Sequence, residues 1–151
     1  MFSLIAILEK ILKRITIMAI NFHPAKGSIL ICDFGMLRTP EIIKRRPVIV
    51  ISPNFKHRSN LCTVVPLSKE PPPKIMPCHF KLFFEPLLPE PYLNPYSWVL
   101  ADMLYTISFE RLKQFNLGKD DSGKRVYLDR RLSDSELNQV LDCVKYGLGL
   151  G

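Results

Sequence analysis

Nine of the thirteen prolines in the chain fall between Pro66 and Pro95, and Pro71, Pro72 and Pro73 are consecutive. Proline fixes φ and lacks an amide hydrogen, so this stretch suits neither a long helix nor a set of central strands. It reads as loop with one edge strand around Phe80. Elsewhere from Gly27 onward, short apolar runs alternate with Pro, Asn, Ser and charge. Ile29 to Phe34, Pro47 to Ser52 and Leu61 to Leu67 are rich in β-branched side chains and bounded by turn formers, the pattern of buried strands. His79 to Phe83, Trp98 to Ala101, Leu104 to Ile107 and Val126 to Leu128 are weaker members of the same set. Strands this short and this closely spaced predict a small barrel or sandwich.

Helix signals concentrate near the end. Ser133 to Glu136 has the form of a capping box, and Leu137, Val140, Leu141, Val144 and Leu148 follow at three- and four-residue spacing. One C-terminal helix is therefore expected to pack its apolar face on the sheet, with a shorter helical turn at Ser108 to Phe115. At the other end, Leu4, Ile5, Leu8, Ile11, Leu12 and Ile15 share one helical face, which permits an amphipathic surface helix. The apolar run is much shorter than the roughly twenty residues of a membrane span. Its charges follow the apolar stretch, the reverse of a secretory signal. Residues 1–22 are read as an N-terminal extension, helical or outside the domain proper, with translation from Met18 as one reading, and residues 23–151 as a single domain.

Composition narrows the function. A chain of 151 residues that is 47% hydrophobic can bury roughly two thirds of its unfolded surface and needs no metal or disulfide staple. Multi-domain machines and disordered tails are excluded. Twenty-one Lys and Arg against fourteen Asp and Glu give a net charge of +7, which favours a polyanion or an acidic protein as partner. Cys32, Cys62, Cys78 and Cys143 are far apart in apolar contexts, as are the three histidines from one another, so no metal site and no cofactor is expected. Buried free thiols in a reducing cytoplasm are the expectation.

The densest polar segment before the proline-rich stretch runs from Arg38 to Pro47 and carries Arg38, Lys44, Arg45 and Arg46 with the single carboxylate Glu41. A basic loop taken alone is an ordinary solvated surface. Here Arg46 directly precedes Pro47 at the entry to a strand, which holds its side chain at the rim, and guanidinium is planar, permanently charged and bidentate toward phosphate. The run Leu61 to Ser68 ends in a hydroxyl followed by Lys69, and Trp98 to Asp102 ends in a carboxylate. Such groups in one cleft suffice for phosphoryl chemistry on RNA, although spacing alone does not bring them together.

Gly27-Ser28-Ile29-Leu30-Ile31-Cys32-Asp33-Phe34, Glu41, Arg46-Pro47-Val48-Ile49-Val50-Ile51-Ser52 and Thr63-Val64-Val65-Pro66-Leu67-Ser68 resemble, in order, the opening of the MazF/PemK toxin endoribonucleases. The likeness continues through His79-Phe80-Lys81-Leu82, Asp102 to Ile107 and Leu132 to Leu137. It implies an SH3-like barrel with a C-terminal helix, a homodimer, cleavage of single-stranded mRNA without a cofactor, and an acidic antitoxin whose complex also binds DNA. It further implies Arg46 and Ser68 as the catalytic pair, with Glu41 as the loop acid and Asp102 as the acid after the later strand. Lys44, Arg45, Arg58, Lys69 and His79 are expected to support RNA binding. Three positions depart from the family pattern: Ile42 stands for Gln, Leu100 for an Arg that some members carry, and Tyr105 for Arg. If that Arg is the general acid elsewhere, this chain must use Arg46 twice or recruit His79 or another cation. The competing readings are a binding module such as a gyrase-poisoning toxin on the same fold and a peripheral membrane protein using Phe2 to Ile20.

Overall fold

The structure, a computed structural model, describes residues 3–10, 20–55 and 57–151. Nine strands and two helices occur among them, in the order α1 (residues 4–10), β1 (Ile29–Asp33), β2 (Arg45–Val50), β3 (Leu61–Ser68), β4 (His79–Phe83), β5 (Tyr96–Leu100), β6 (Tyr105–Ser108), β7 (Leu112–Lys113), β8 (Asn116–Lys119), β9 (Arg125–Tyr127) and α2 (Asp134–Gly147). A 3-10 turn, Phe109–Arg111, joins β6 to β7. The strands of the main sheet are antiparallel and run β4-β5-β3-β2-β1-β7, with β6 also on β3, while β8 and β9 form a separate hairpin. Pairing among the described residues stays open between β4 and β7, so the sheet is not closed into a barrel.

Strand β3 is the hinge of this arrangement. Its first half, Leu61 to Val64, pairs with β6, and its last two residues pair with β5. Pro66, which has no amide hydrogen to give, sits where the partner changes. Strands β1 to β3 read as almost continuous apolar runs because both faces are buried. Ile29, Ile31, Ile49, Val65 and Leu67 face one cluster together with Val140, Cys143 and Val144 of α2. The alternate residues Leu30, Cys32, Val48, Val50, Cys62 and Val64 face a second cluster closed by Ile42, Ile107, Phe109 and Leu112. That alternation is the period-two rule of a strand applied twice.

The expected strands are present, with local differences. The expected helical turn at Ser108 to Phe115 is only the three-residue 3-10 turn, because Leu112 and Lys113 pair with Cys32 and Ile31 of β1. The proline-rich stretch adds to the core through Leu82, Phe84 and Leu88. The Ser133 box caps α2 as expected: Glu136 N–H donates to Ser133 Oγ and Ser133 N–H to Glu136 Oε1. All four cysteines are free and buried. Ile20 is buried in the second cluster and the His23 ring meets Phe109 edge-on. In α1 the side chains of Leu4, Ile5, Ile7 and Leu8 are exposed. Ile11, Leu12, Ile15 and Met18 lie outside the described residues. No described helix is long and apolar enough to cross a membrane.

Candidate active site

Arg46 is the second residue of β2 and the register partner of Cys32, and Ser68 closes β3 as the partner of Trp98. The β2–β3 ladder pairs Val48 with Pro66, and the same register continued by two residues sets Arg46 opposite Ser68. Trp98 in turn pairs with Lys81. One row across the sheet therefore reads Arg46, Ser68, Trp98, Lys81. Ser68 is buried, and its Oγ accepts the Glu70 N–H at 3.2 Å, which holds the hydroxyl at the end of the strand.

Arg46 also lines a cavity of about 560 Å³. Lys44, Arg45 and Lys69 share its wall, Tyr92, Asn94 and Ser97 supply polar groups, and Glu70 is its one carboxylate. The Arg46 Nε is buried and has no hydrogen-bond partner among the described residues, so an anion in the cavity would satisfy it. Arg45 is restrained by Asp33, whose Oδ2 lies 3.8 Å from its Nε. Asp33 is fixed in turn, since its Oδ1 accepts the Gly35 N–H and its backbone carbonyl accepts from Arg111. Burial pushes the Tyr92 phenol above its ordinary range, against the opposing pull of Arg45 and Arg46.

Beside this row lies an aromatic surface. The Lys81 Nζ stands 4.0 Å from the Tyr96 ring centre, 5.6 Å from that of Phe83 and 5.9 Å from that of Trp98. Phe83 and Tyr96 are register partners with ring centres 5.9 Å apart, and Phe83 is 63% exposed. Three rings and a cation on one face of a sheet form a cation–π cluster open to a ligand.

His79 is the register partner of Leu100, two residues along from Lys81. Its Nδ1 accepts the Met76 N–H at 3.0 Å and its Nε2 lies 3.2 Å from Asp102 Oδ1 and 3.8 Å from Cys78 Sγ. Cys78, His79 and Asp102 thus hold their ligand-type atoms within 4.8 Å of one another, a cluster that spacing in the sequence concealed because Asp102 arrives from another strand. Asp102 is also clamped from behind: a Cβ on Gly147 of α2 would lie 3.3 Å from the Asp102 Cα.

The remaining expected site residues lie apart. Glu41 is exposed, on the loop before β2, and its N–H donates to Arg38 O. Arg58 is in the loop before β3, against the Phe55 ring and with its guanidinium 3.5 Å from Thr106 Oγ1. Lys44, Arg45, Arg46 and Lys69 come together, with Ser68 beside them. Asp33, Tyr92, Asn94 and the Tyr96, Trp98, Lys81 cluster were not singled out from sequence. For the aromatic cluster the available signal was alternation, since Tyr96 and Trp98 are two residues apart on one face of a strand.

Comparison with known proteins agrees with this architecture. Endoribonuclease in complex with its cognate antitoxin from a mycobacterial species superposes with a TM-score of 0.54 at 20% identity over 85% of this chain and 98% of that one. MazF from Deinococcus radiodurans superposes with a TM-score of 0.59, also at 20% identity, over 85% and 99%. The MazE-MazF structure from the same organism gives 0.53 at 20% identity over 87% and 100%. At such identities these matches establish the fold. The uncharacterized protein YifN of Escherichia coli K12 is 42% identical over 67 residues, 34% of this chain and 44% of that protein, so the chain spans less than half the length of that curated relative. The family described as PemK-like, MazF-like toxin of type II toxin-antitoxin systems matches residues 25–147, and the chain belongs to that family.

Proposed function

We propose that this protein is the toxin of a type II pair and an endoribonuclease that cuts single-stranded RNA without a metal ion. The observation that supports this reading is Arg46, whose buried Nε has no hydrogen-bond partner among the described residues, at the wall of a cavity that it shares with three further cations, Lys69 among them, and with Leu67; Leu67 and Lys69 are the neighbours of Ser68. In-line cleavage of RNA needs a counter-charge for the developing phosphorane, a group on the 2′-hydroxyl and a proton for the departing oxygen. Arg46 supplies the charge in a bidentate, planar form. Ser68, held by the Glu70 N–H, orients the 2′-hydroxyl. The 2′-oxygen bonds to phosphorus as its proton passes by way of Ser68 to water, the P–O5′ bond breaks as O5′ takes a proton from Arg46 that water restores, and the products are a 2′,3′-cyclic phosphate and a 5′-hydroxyl. Asp102 positions these groups, while Glu41 stands apart from them on the exposed loop before β2.

Single strands are favoured over duplex because the Tyr96, Trp98 and Phe83 rings can stack unpaired bases while Lys81, Lys44, Arg45 and Lys69 follow the phosphates, with Arg58 as a further contact; the His79 side chain, only 4% exposed, does not reach the RNA. The same cationic cavity suits an acidic antitoxin segment that folds as it binds. The protein acts as a cytoplasmic homodimer of the SH3-like class, and residues 23–151 form the toxin domain, with residues 1–22 an extension.

The test is incubation of the purified full chain with a single-stranded RNA in EDTA. Shortened RNA ending in a 2′,3′-cyclic phosphate, lost in Arg46→Ala, is the expected result. Intact RNA together with gyrase trapped on DNA would replace the nuclease with a gyrase poison.

A further inference from the structure

His79 faces the position where the sequence carries Leu100 in place of a cation, and an imidazole there invites two assignments: a proton donor or a metal ligand. Its hydrogen bonds exclude both. The Met76 N–H points at Nδ1 from 3.0 Å, so Nδ1 must offer its lone pair and the ring proton resides on Nε2. That proton is donated to Asp102 Oδ1 at 3.2 Å. A nitrogen that bears hydrogen cannot ligate a metal, and the other nitrogen is occupied by the backbone. Protonation to imidazolium would turn Nδ1 into a donor facing a donor. The His79 side chain is 4% exposed, whereas that of Asp102 is 39% exposed. The imidazole is thus withdrawn and the carboxylate is presented.

We propose that His79 is a positioning residue, an imidazole whose Nε2–H aims the Asp102 carboxylate toward the face bearing Ser68, Trp98 and Lys81. This rests on the nuclease reading for its effect on rate, but not for its geometry. The ionisable groups around the ring are Asp102 on the turn after β5, Cys78 beside it and, through Cys78, Cys143 of α2. Burial, with Asp102 adding to it, raises the Cys78 thiol, which keeps that neighbour a thiol. Gly147 completes the clamp, since a side chain there would press on the Asp102 backbone.

The experiment compares His79→Gln, His79→Phe, Asp102→Asn and the His79→Phe/Asp102→Asn double variant in the full chain. The Gln amide nitrogen occupies the place of Nε2 and keeps the donor, so His79→Gln should cut RNA at close to the wild-type rate. His79→Phe keeps the ring and loses the donor, and should lower kcat/KM by about tenfold to a hundredfold, the worth of one hydrogen bond to a charged group. Asp102→Asn should do the same, and the double variant should be no worse than either single one. Wild type and His79→Gln should share one pH profile between pH 5.5 and 7.5. A limb near the ordinary imidazole value of about 6.5 that disappears in His79→Gln would make His79 the proton donor and overturn the proposal, as would a zinc site seen by calorimetry and lost in that variant. Nitrogen NMR of the ring separates the two levels. An Nε2–H tautomer in a protein that cuts no RNA upholds the dyad and removes the nuclease reading, whereas a ring whose proton resides on Nδ1 removes the dyad whatever the activity.

Discussion

The backbone N–H of Ile42 donates to the Tyr105 hydroxyl at 3.4 Å, which joins two of the three positions where this chain departs from the family pattern. Ile42 is 6% exposed in the cluster with Phe34, Val48 and Val50, and the Tyr105 ring tilts against Phe34 at 5.2 Å. The two departures are therefore one unit: an apolar plug and one hydroxyl anchor the loop that leads from Glu41 into Arg46. The third departure, Leu100, packs at the edge of the same cluster.

Tyr105→Phe removes that hydroxyl and strands the Ile42 N–H. The expected cost is about 1 kcal/mol in denaturant unfolding, together with a lower cleavage rate because the entry to β2 loosens. Ile42→Ala leaves a cavity and should cost about 2 to 4 kcal/mol. If Ile42→Gln, which restores the family residue, were more stable than wild type, the plug would not be the anchor.

Arg46 gives the most direct test of the chemistry. Arg46→Ala should remain folded by circular dichroism and lose about a hundredfold to a thousandfold in cleavage rate, as expected for a main electrostatic donor. Arg46→Lys keeps the charge and loses the planar fork, so it should recover little. Ser68→Ala should fall strongly, while Ser68→Thr, which keeps the oxygen that accepts the Glu70 N–H, should stay active. Growth arrest by folded Arg46→Ala protein would take Arg46 out of the mechanism.

Sequence made the strands legible because β1 to β3 are buried on both faces, so their runs of Ile, Val and Leu carry no ambiguity about which side turns inward. It also marked Arg46, which directly precedes Pro47 near the start of β2, and Ser68, which ends β3 two residues after Pro66. What it hid depends on register. Nothing local shows that Pro66 marks the change of partner on β3, or that Asp102 folds back onto His79 and Cys78. Val126 to Leu128 reads as a strand, but its partner β8, Asn116 to Lys119, is wholly exposed and has no apolar alternation to signal it. Leu112 and Lys113 look helical locally and become a strand only because Cys32 and Ile31 offer a free edge.

The thiols set an alkaline limit on stability. Burial pushes Cys32 up to about 12, against the pull of Arg111, and Cys62 up to about 11, against that of Arg58, from an ordinary value of 9.0. Below pH 9 both folded and unfolded chains keep these protons, and the full stabilisation is present. Between pH 9 and 12 the unfolded chain releases protons that the folded one retains, so stability must fall as pH rises. Tyr92, also raised by burial, adds to the fall at the upper end. Unfolding free energies of wild type and Cys32→Ala from pH 8 to 11 should converge as pH rises. Parallel curves would mean that the buried thiol ionises as freely in the folded protein as in the unfolded one.

Base stacking on the Tyr96, Trp98 and Phe83 surface separates single-strand recognition from charge attraction alone. Stacking one base on an aromatic ring is worth about 1 to 3 kcal/mol, so Trp98→Ala should weaken binding of an RNA blocked by 2′-O-methyl groups by about fivefold to a hundredfold, with the salt dependence unchanged. Trp98→Phe should recover much of the loss. Lys81→Gln should act the other way: binding weakens modestly at low salt, and the slope of log affinity against log salt drops by about 0.7, the contribution of one phosphate contact on a single strand. Fluorescence anisotropy across a salt series reads both quantities. If Trp98→Ala changes the salt slope and not the affinity at high salt, the rings serve only to hold Lys81, and the bases lie elsewhere.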